Sequence, residues 1–289
     1  MSKVSDFNTN RMPTWCPGCG DFGIWAAIKN ALVQLNLGPS EAVFVFDIGC
    51  NSNMYDALKV TAFEGLHGRT LPVASAIRLS NPDLPVFTVA GDGGFYGEGG
   101  NHFLHAARRN HDMVSIVHDN QFYALTTGQY SPTSPKGWKT KVSPEGTLEQ
   151  QLNPIAMAIT AGVSFVARGF AGDIAHLTNL IVEAHKHKGY ALIDVLQPCV
   201  TFNKVYTYQF YRQNIYKLED IDYKSDNKVK AFEKAYEWAS TDGTGKIPIG
   251  IFYKEERDVM EEVYKLRIGN LAKSGVSKGN IEDLMKEIE

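Results

Sequence analysis

A glycine-rich turn and a later asparagine form the part of this sequence best suited to chemistry. The turn reads GDGG at positions 91–94, and Asn120 follows 28 positions after Asp92. Glycines let backbone N–H groups approach phosphate oxygens closely, and the amino end of a following helix favours negative charge. Carboxylate and amide oxygens are hard ligands for Mg²⁺, and a backbone carbonyl near Phe122 would add a third. These residues predict a site for a diphosphate and a divalent cation.

Two other phosphate-binding motifs fit this stretch poorly. The dinucleotide fingerprint requires a glycine five positions after the first, where this sequence has Tyr96. A Walker loop requires a lysine that the stretch lacks. The residue types therefore favour a magnesium diphosphate over a nicotinamide dinucleotide.

Four cysteines, at positions 16, 19, 50 and 199, form the second group of candidate ligands. Cys16 and Cys19 make a CxxC pair, and no secretory signal is recognisable, so we expect thiols rather than disulfides. A redox pair of the thioredoxin kind should follow a core strand, whereas 15 mostly polar residues precede Cys16. Zinc and a [4Fe–4S] cluster both accept four thiolates, so the residue types alone leave both open.

The elements around the glycine turn predict a parallel βαβ unit. Residues 85–90 and 113–117 are apolar runs typical of buried strands, and residues 99–109 have a helical pattern. A right-handed crossover would make the two strands parallel. Both polar ends then lie at the carboxyl edge of the sheet, where open α/β sheets bind ligands.

Further α/β units predict a mainly parallel, twisted sheet with helices on both faces. The predicted strands cover residues 42–48, 163–167 and 190–196, and the predicted helices cover residues 24–35, 150–161 and 173–188, with Asp173 as an N-cap. We expect one α/β domain over residues 1–204. From residue 205 the composition becomes aromatic and charged, which suggests a C-terminal arm over residues 205–289. The loop at 131–146 is expected to cover the site.

Composition limits the possible partners. Of the 289 residues, 44% are hydrophobic and 21% are charged, and the net charge of −3 argues against a nucleic-acid partner. No apolar run is long enough to cross a membrane, and the polar start lacks the apolar region of a signal peptide. We therefore expect no membrane association and a cytoplasmic location.

Several motifs together resemble the β subunit of 2-oxoacid:ferredoxin oxidoreductases. They are WCPGCG from Trp15, IGCNSN, HGR, NPDLPV, the string GDGG…GGNHFLHAARRN…DNQFYALTTGQYSPTSPKGWKTK, and QPCVTFN. The resemblance runs from Trp15 to about Lys217. It implies a thiamine diphosphate-binding fold, with thiamine diphosphate, Mg²⁺ and a [4Fe–4S] cluster as cofactors.

The resemblance also implies roles for individual residues. All four cysteines are assigned to the [4Fe–4S] cluster, and Asp92, Asn120 and Phe122 are assigned to Mg²⁺. The residues expected to bind thiamine diphosphate are Gly49, Cys50, Gly91, Asp92, Gly93, Gly94, Asn120, Phe122, Leu125 and Thr126. Relatives often have Asp where this chain has Gly94, and a small residue where it has Asp47. A carboxylate near the cofactor would thus be missing at position 94.

The resembling family also suggests which residues meet the substrate. His67 is expected to hydrogen-bond a substrate oxygen or assist proton movement, and Arg69 to hold a phosphate or carboxylate. Asn53 stands where a basic residue would meet a second carboxylate, so its neutral amide disfavours strict specificity for 2-oxoglutarate. Leu125 favours a roomier pocket that accepts a broad range of 2-oxoacids, including pyruvate. Thr127 replaces a frequent lysine.

The expected reaction is the coenzyme A-dependent oxidative decarboxylation of a 2-oxoacid to acyl-CoA and CO₂, with electrons passed through the cluster to ferredoxin. In the resembling family a glutamate from another chain holds the aminopyrimidine. The chain is therefore expected to be catalytic only with an α, or fused αγ, partner in a hetero-oligomer. A thiamine diphosphate-dependent decarboxylase or synthase without a redox step is the alternative, but it has no use for four cysteines.

Overall fold

The computed structural model describes residues 2–238, 245–274 and 285–286. Within them the strands are, in chain order, β1 (Val43–Phe46), β2 (Thr61–Glu64), β3 (Val86–Gly91), β4 (Met113–Asp119), β5 (Phe122–Tyr123), β6 (Gln129–Tyr130), β7 (Phe165–Phe170), β8 (Tyr190–Leu196), β9 (Ile215–Lys217) and β10 (Ile247–Lys254). The α-helices are α1 (Asp21–Gln34), α2 (Thr70–Ser80), α3 (Gly100–Arg109), α4 (Pro154–Ala161), α5 (Ile174–Lys186), α6 (Tyr208–Asn214), α7 (Lys228–Ala235), α8 (Met260–Ile268) and α9 (Leu271–Ser274).

One eight-stranded sheet organises the fold. Its strand order is β2-β1-β3-β4-β8-β7-β10-β9, and β5 pairs with β6 in a separate hairpin. The pairs from β2 to β7 are parallel, whereas β10 runs antiparallel to β7. The predicted α/β class with a mainly parallel sheet is confirmed.

The two faces of the sheet are covered by different helices. In β1, Phe44 and Phe46 pack on the face covered by α1 and α5, whereas Val43 and Val45 pack on the face covered by α2, α3, α4 and α7. Successive side chains of a strand point to opposite faces, so a strand buried on both sides must be apolar throughout. This is why the continuous apolar runs of the sequence identify the central strands.

Helix starts follow local capping chemistry. The Asp173 side chain accepts a hydrogen bond from the N–H of His176, which confirms the predicted N-cap of α5. The helix predicted from residue 150 instead begins at Pro154, where Asn153 caps it and proline takes the first helical position. The glycine turn differs more, because a π-helical segment, Gly93–Glu98, precedes α3. Such segments are frequent at functional sites.

Short 3₁₀ turns are also present at Val4–Phe7, Cys50–Met54 and Leu218–Asp220. No helix in the described ranges is both long and apolar enough to cross a lipid bilayer.

The C-terminal part packs closely on the sheet. Tyr206 and Tyr211 are buried with Phe170 of β7, and β10 adds to the edge of the sheet beside β7. The division between residues 204 and 205 stays a prediction, since strands from both sides of it share the sheet. Residues 239–244, 275–284 and 287–289 of the expected arm lie outside the described residues.

A buried ion pair anchors α8 to the core. Glu261 is 1% exposed, and its two carboxylate oxygens meet His111 Nδ1 and the backbone N–H of Asp112. Burial raises the pKa of Glu261, but the hydrogen bond and charge of His111 together with backbone N–H groups outweigh burial, so the net pKa is lowered from 4.5. The folded state therefore binds fewer protons here than the unfolded state.

Replacing Glu261 by Gln should lower the free energy of unfolding at pH 7 by about 1–3 kcal/mol, because a buried charge-assisted hydrogen bond is lost. The Glu261 contribution is present above pH 4.5 and is lost as the pH falls through the lowered folded pKa. Denaturant unfolding of wild type and variant between pH 3 and 7 measures this difference. The exposed neighbour Glu262, changed to Gln, is the matched control and should have little effect. Equal losses for the two variants would contradict the anchoring role.

Candidate functional site

A cavity of about 500 Å³ opens where β1, β3 and β4 end. The residues lining it are Ile48, Gly49, Cys50, Asn51, His67, Gly91, Asp92, Gly93, Gly94, Glu98, His118, Asn120, Phe122, Tyr123, Ala124, Leu125, Thr126, Gln129, Tyr130 and Val142. Each residue expected to bind thiamine diphosphate belongs to this set. The site lies at the carboxyl edge of the sheet because β1, β3 and β4 are adjacent and parallel.

Asp92 presents one free carboxylate oxygen at the cavity wall. Its Oδ2 accepts hydrogen bonds from the hydroxyls of Ser131 (2.5 Å) and Thr133 (2.6 Å). Its Oδ1 is buried and has no hydrogen-bond partner among the described residues. Burial raises the pKa of Asp92 to about 6, although the two hydroxyls lower it. A buried, unpartnered carboxylate oxygen is destabilising unless a cation binds it, so the observation fits an Mg²⁺ ligand.

Asn120 is fixed by a tight turn after β4. Its Oδ1 accepts the backbone N–H of Phe122 at 2.9 Å, and Gln121 between them adopts a positive φ of 65°. The Asn120 Nδ2 donates to Gln197 Oε1 at 2.9 Å, which sets the orientation of the amide. An amide oxygen has two lone pairs, so Oδ1 retains one acceptor position for a cation. Asp92 and Asn120 thus both carry oxygens suited to Mg²⁺ at one cavity.

The glycines of the turn are required by close neighbours. A Cβ at Gly93 would overlap the Tyr123 ring, and a Cβ at Gly94 would overlap Asp47 Oδ2. Tyr123 in turn hydrogen-bonds Glu98. The carboxylate of Asp47 therefore occupies the space that a side chain at position 94 would enter. The turn lines the cavity, and its lack of side chains at Gly93 and Gly94 suits the close approach of a diphosphate to the backbone.

Asp47 also ties the HGR segment to the sheet. Its Oδ1 accepts the N–H groups of Ile48 and Gly68, both at 2.8 Å, and the side chain is fully buried. Burial is the main cause of its raised pKa, which the two N–H groups partly offset. Its Oδ2 has no hydrogen-bond partner within the described ranges.

His67 and Arg69 differ in where they lie. His67 lines the cavity, with Nδ1 3.6 Å from Glu98 Oε2. Arg69 is not among the lining residues; its Nη1 donates to the carbonyls of Gly68 and Glu98. Arg69 thus closes the end of the π-helical segment, and His67 alone of the pair faces the cavity.

The four cysteine thiols are free, and backbone contacts bring their loops together. Trp15 donates its indole N–H to the Cys50 carbonyl, and the Gly20 N–H donates to the Pro198 carbonyl, so the CxxC loop meets both single cysteines. Burial raises the pKa of the Cys50 thiol to about 12, with smaller contributions from the charges of Asp21, Cys199 and Cys16. The described residues nevertheless show no preassembled group of three or more metal ligands.

The two expected substrate residues also separate. Leu125 lines the cavity and is half exposed, beside Thr126. Asn53 is not among the lining residues, and its Oδ1 accepts a hydrogen bond from Thr14 at 2.6 Å. The structure therefore brings Leu125, but not Asn53, to the cavity wall of this chain.

Several polar residues that line the cavity are absent from the sequence-based site prediction, among them Asn51, Glu98 and His118. Asn51 and His118 line the cavity, and Asn51 Oδ1 and His118 Nε2 are buried without hydrogen-bond partners in the described part of the chain. Glu98 lies beside His67. The sequence signals were present, since His118 precedes Asn120 by two positions and Asn51 follows Cys50 directly.

Changing Gly94 to Ala should weaken thiamine diphosphate binding about tenfold or more. The new Cβ overlaps the immobile Asp47 carboxylate, and relieving an overpacked contact typically requires about 1–3 kcal/mol. Isothermal titration with thiamine diphosphate and Mg²⁺ measures the change. Gly100→Ala is the matched control, because a Cβ there would meet no described atom within 4 Å. If Gly94→Ala bound as tightly as Gly100→Ala, the packing argument would be wrong.

Two family models match this chain. The C-terminal thiamine pyrophosphate-binding domain of thiamine pyrophosphate enzymes matches residues 47–195, just over half of the chain, and the C-terminal part of the pyruvate ferredoxin oxidoreductase beta subunit matches residues 199–267. The first match spans the glycine turn, Asp47 and Asn120. The second begins at Cys199.

Curated relatives and a solved structure are similar over nearly the whole chain. Subunit beta of 2-oxoacid:ferredoxin oxidoreductase 1 from Aeropyrum pernix is 42% identical, over 90% of this chain and 83% of that protein. The corresponding subunit beta from Saccharolobus solfataricus is 40% identical, over 94% and 95%. A 2-oxoglutarate:ferredoxin oxidoreductase structure from Magnetococcus marinus, with 2-oxoglutarate, coenzyme A and succinyl-CoA bound, superimposes with a TM-score of 0.88 at 32% identity, over 100% and 96%. The chain therefore belongs to the family of 2-oxoacid:ferredoxin oxidoreductase β subunits.

Proposed function

We propose that this chain, with a partner subunit, converts 2-oxoacids and coenzyme A to acyl-CoA and CO₂ and passes the electrons to ferredoxin. The observation that carries the proposal is the free Asp92 Oδ1 beside the glycine turn, at the same sheet edge that holds Cys50. Family membership supports the same activity.

In the proposed site, Asp92 and Asn120 hold Mg²⁺, together with the carbonyl of Phe122. The glycine turn, Gly91 to Gly94, binds the diphosphate through backbone N–H groups. Thiamine diphosphate, when bound, supplies a carbon nucleophile and an electron sink for decarboxylation. Ser131 and Thr133 keep Asp92 Oδ2 occupied, so that only Oδ1 is available to the cation.

His67 is the proposed proton-handling group. The Glu98 carboxylate lies near Nδ1, which favours a proton on that nitrogen and leaves Nε2 free to exchange a proton with the substrate. Asp47 positions the segment by accepting the Gly68 N–H. Arg69 is retained as a candidate for substrate or phosphate contact in the assembled enzyme. Within this chain its contacts are structural.

Cys16, Cys19, Cys50 and Cys199 are proposed to hold a [4Fe–4S] cluster, which would supply one-electron redox chemistry between the cavity and ferredoxin. The free thiols, the convergence of their loops and the soft sulfur donor set support this. Free cysteines also suit a reducing compartment, so a cytoplasmic location is part of the proposal. An α, or fused αγ, subunit is proposed to complete the active site, with residues 205–289 as an arm that contacts it.

The proposed substrate range is broad, including pyruvate and 2-oxoglutarate. Leu125 provides an apolar wall and is half exposed, so the cavity has room for longer 2-oxoacids. Asn53 offers no positive charge to a second carboxylate. The related Magnetococcus marinus enzyme was solved with 2-oxoglutarate bound, which supports acceptance of that substrate.

Cofactor analysis of the chain and its co-purifying subunit, isolated without oxygen, tests the proposal. We expect about four irons with acid-labile sulfide and one thiamine diphosphate per chain. The Cys50→Ala variant should lose the iron and keep thiamine diphosphate. The Asp92→Asn variant should lose thiamine diphosphate and keep the iron. Thiamine diphosphate without iron in the wild type would indicate a non-redox decarboxylase. Zinc without thiamine diphosphate would overturn the catalytic proposal.

Changing Leu125 to Asn should shift the preference towards pyruvate. For a 2-oxoacid with a longer apolar chain, kcat/KM relative to pyruvate should fall about tenfold, since each buried methylene contributes about 0.8 kcal/mol. Steady-state rates with both substrates and reduced-ferredoxin detection measure the ratio. Leu148→Asn is the control, because Leu148 is 86% exposed and does not line the cavity. An unchanged ratio in Leu125→Asn would remove Leu125 from the proposed substrate wall.

A further inference from the structure

A chain of hydrogen bonds connects the cofactor cavity to one of the cysteine sulfurs. The Phe122 N–H donates to Asn120 Oδ1, and Asn120 Nδ2 donates to Gln197 Oε1, both at 2.9 Å. Gln197 Nε2 then donates to Cys19 Sγ at 3.2 Å. The path therefore runs from a cavity-lining asparagine to the CxxC pair through a single side chain, Gln197.

The direction of this chain is fixed by its chemistry. A backbone N–H is only a donor, so Asn120 must present Oδ1 to Phe122 and its NH₂ group to Gln197. Gln197 must then present Oε1 to Asn120 and its NH₂ group to the sulfur. Asn120, Gln197 and Cys19 are 6%, 1% and 7% exposed, so water has little access to these groups. Each amide thus has one orientation. The NH₂ group of Asn120 points to Gln197, and the NH₂ group of Gln197 points to Cys19.

We propose that Gln197 makes the reduction potential of the cysteine-bound cluster depend on Mg²⁺ at the cavity. This inference rests on the function proposed above. A cation on Asn120 Oδ1 draws electron density from the amide, which strengthens Nδ2–H as a donor and polarises Gln197 in the same sense. The Gln197 N–H to Cys19 bond then becomes stronger. Hydrogen bonds to cluster sulfurs favour the reduced, more negative state, so Mg²⁺ and thiamine diphosphate raise the potential.

The Cys19 sulfur also contacts a carboxylate, which acts differently from the Gln197 amide. Cys19 Sγ lies 3.3 Å from Asp21 Oδ2 as a thiol donor, and Asp21 Oδ1 meets His118 Nδ1 at 2.6 Å. A metal-bound thiolate has no proton to donate, so the Asp21 contact ceases to be a hydrogen bond when iron binds. The Gln197 N–H remains a donor to the sulfur in both states.

The structure contains an internal control. The Thr201 hydroxyl donates to Cys16 Sγ at 3.0 Å, but Thr201 is exposed and does not line the cavity. Loss of this bond should lower the cluster potential without affecting its response to the cavity. Variants of Gln197 and Thr201 therefore distinguish two effects of a hydrogen bond to sulfur. One is on the cluster potential itself, and the other is on the response of that potential to the bound cofactor.

EPR-monitored redox titration of the oxygen-free complex, with and without Mg²⁺ and thiamine diphosphate, tests the proposal. In wild type the cofactors should shift the midpoint potential upwards. Gln197→Met should lower the potential and abolish the shift, and Thr201→Val should lower the potential and keep the shift. Gln197→Glu retains the side-chain volume and removes the N–H at sulfur. If Gln197→Met loses iron, Gln197→Glu tests whether the N–H group at the sulfur is required for the shift.

The outcomes distinguish this inference from the proposed function. A wild-type cluster whose potential is unchanged by bound cofactors would overturn the coupling and leave the cluster assignment intact. A cofactor-induced shift that persists in both Gln197 variants would overturn the role of Gln197. A wild-type complex without a reducible cluster would overturn both proposals.

Discussion

The parallel pairing of β3 with β4 is the constraint on which the site depends. Gly91 at the end of β3 is in register with His118 near the end of β4, so the chain leaves both strands at the same height. Asp92 and Asn120 consequently meet at one sheet edge although 28 positions separate them. The pairing of β1 with β3 brings the segment from Asp47 to Cys50 to the same edge. The residues that line the cavity are arranged around this edge.

The site contains buried polar atoms without hydrogen-bond partners, which lowers the stability of the folded state. Asp92 Oδ1, Asp47 Oδ2, Asn51 Oδ1 and His118 Nε2 are buried and unpartnered within the described residues. A buried polar group without a partner typically destabilises a fold by about 1–3 kcal/mol. Some buried polar groups elsewhere are paired, as with Ser164, which hydrogen-bonds Asn110 and His187, whereas others, such as Arg168 Nη1, are not. Asp92, Asn51 and His118 line one cavity, where bound ligands would supply the missing partners.

Asp47 and Gly94 are close neighbours whose side-chain sizes constrain each other. The Asp47 carboxylate fills the space next to Gly94 and holds the Gly68 N–H, so it serves both packing and loop position. The family resemblance had suggested a missing carboxylate at position 94. The structure places the Asp47 carboxylate, which directly follows β1, beside position 94, so this region does not lack a carboxylate.

The sequence by itself determined the α/β class and the place of the cavity at the sheet edge, and the family resemblance named many of the residues that line it. The class and the place of the cavity follow from local chemistry: runs of apolar residues form buried strands, glycines permit a close turn, and Asp173 caps a helix through a neighbour three positions away. The start of α4 also follows a local signal, because Asn153 caps the helix and Pro154 takes its first position.

Only the tertiary structure decided which side chains turn towards the cavity and which do not. Arg69 donates hydrogen bonds to backbone carbonyls, and Asn53 accepts one from Thr14. Gln197 donates a hydrogen bond to the sulfur of Cys19, 178 positions away in the sequence. Such contacts depend on strand order and on the packing of loops from distant parts of the chain. Residue type and spacing carry no information about them until β1, β3, β4 and β8 are assembled in one sheet, because neighbours across a sheet are set by pairing rather than by proximity in sequence.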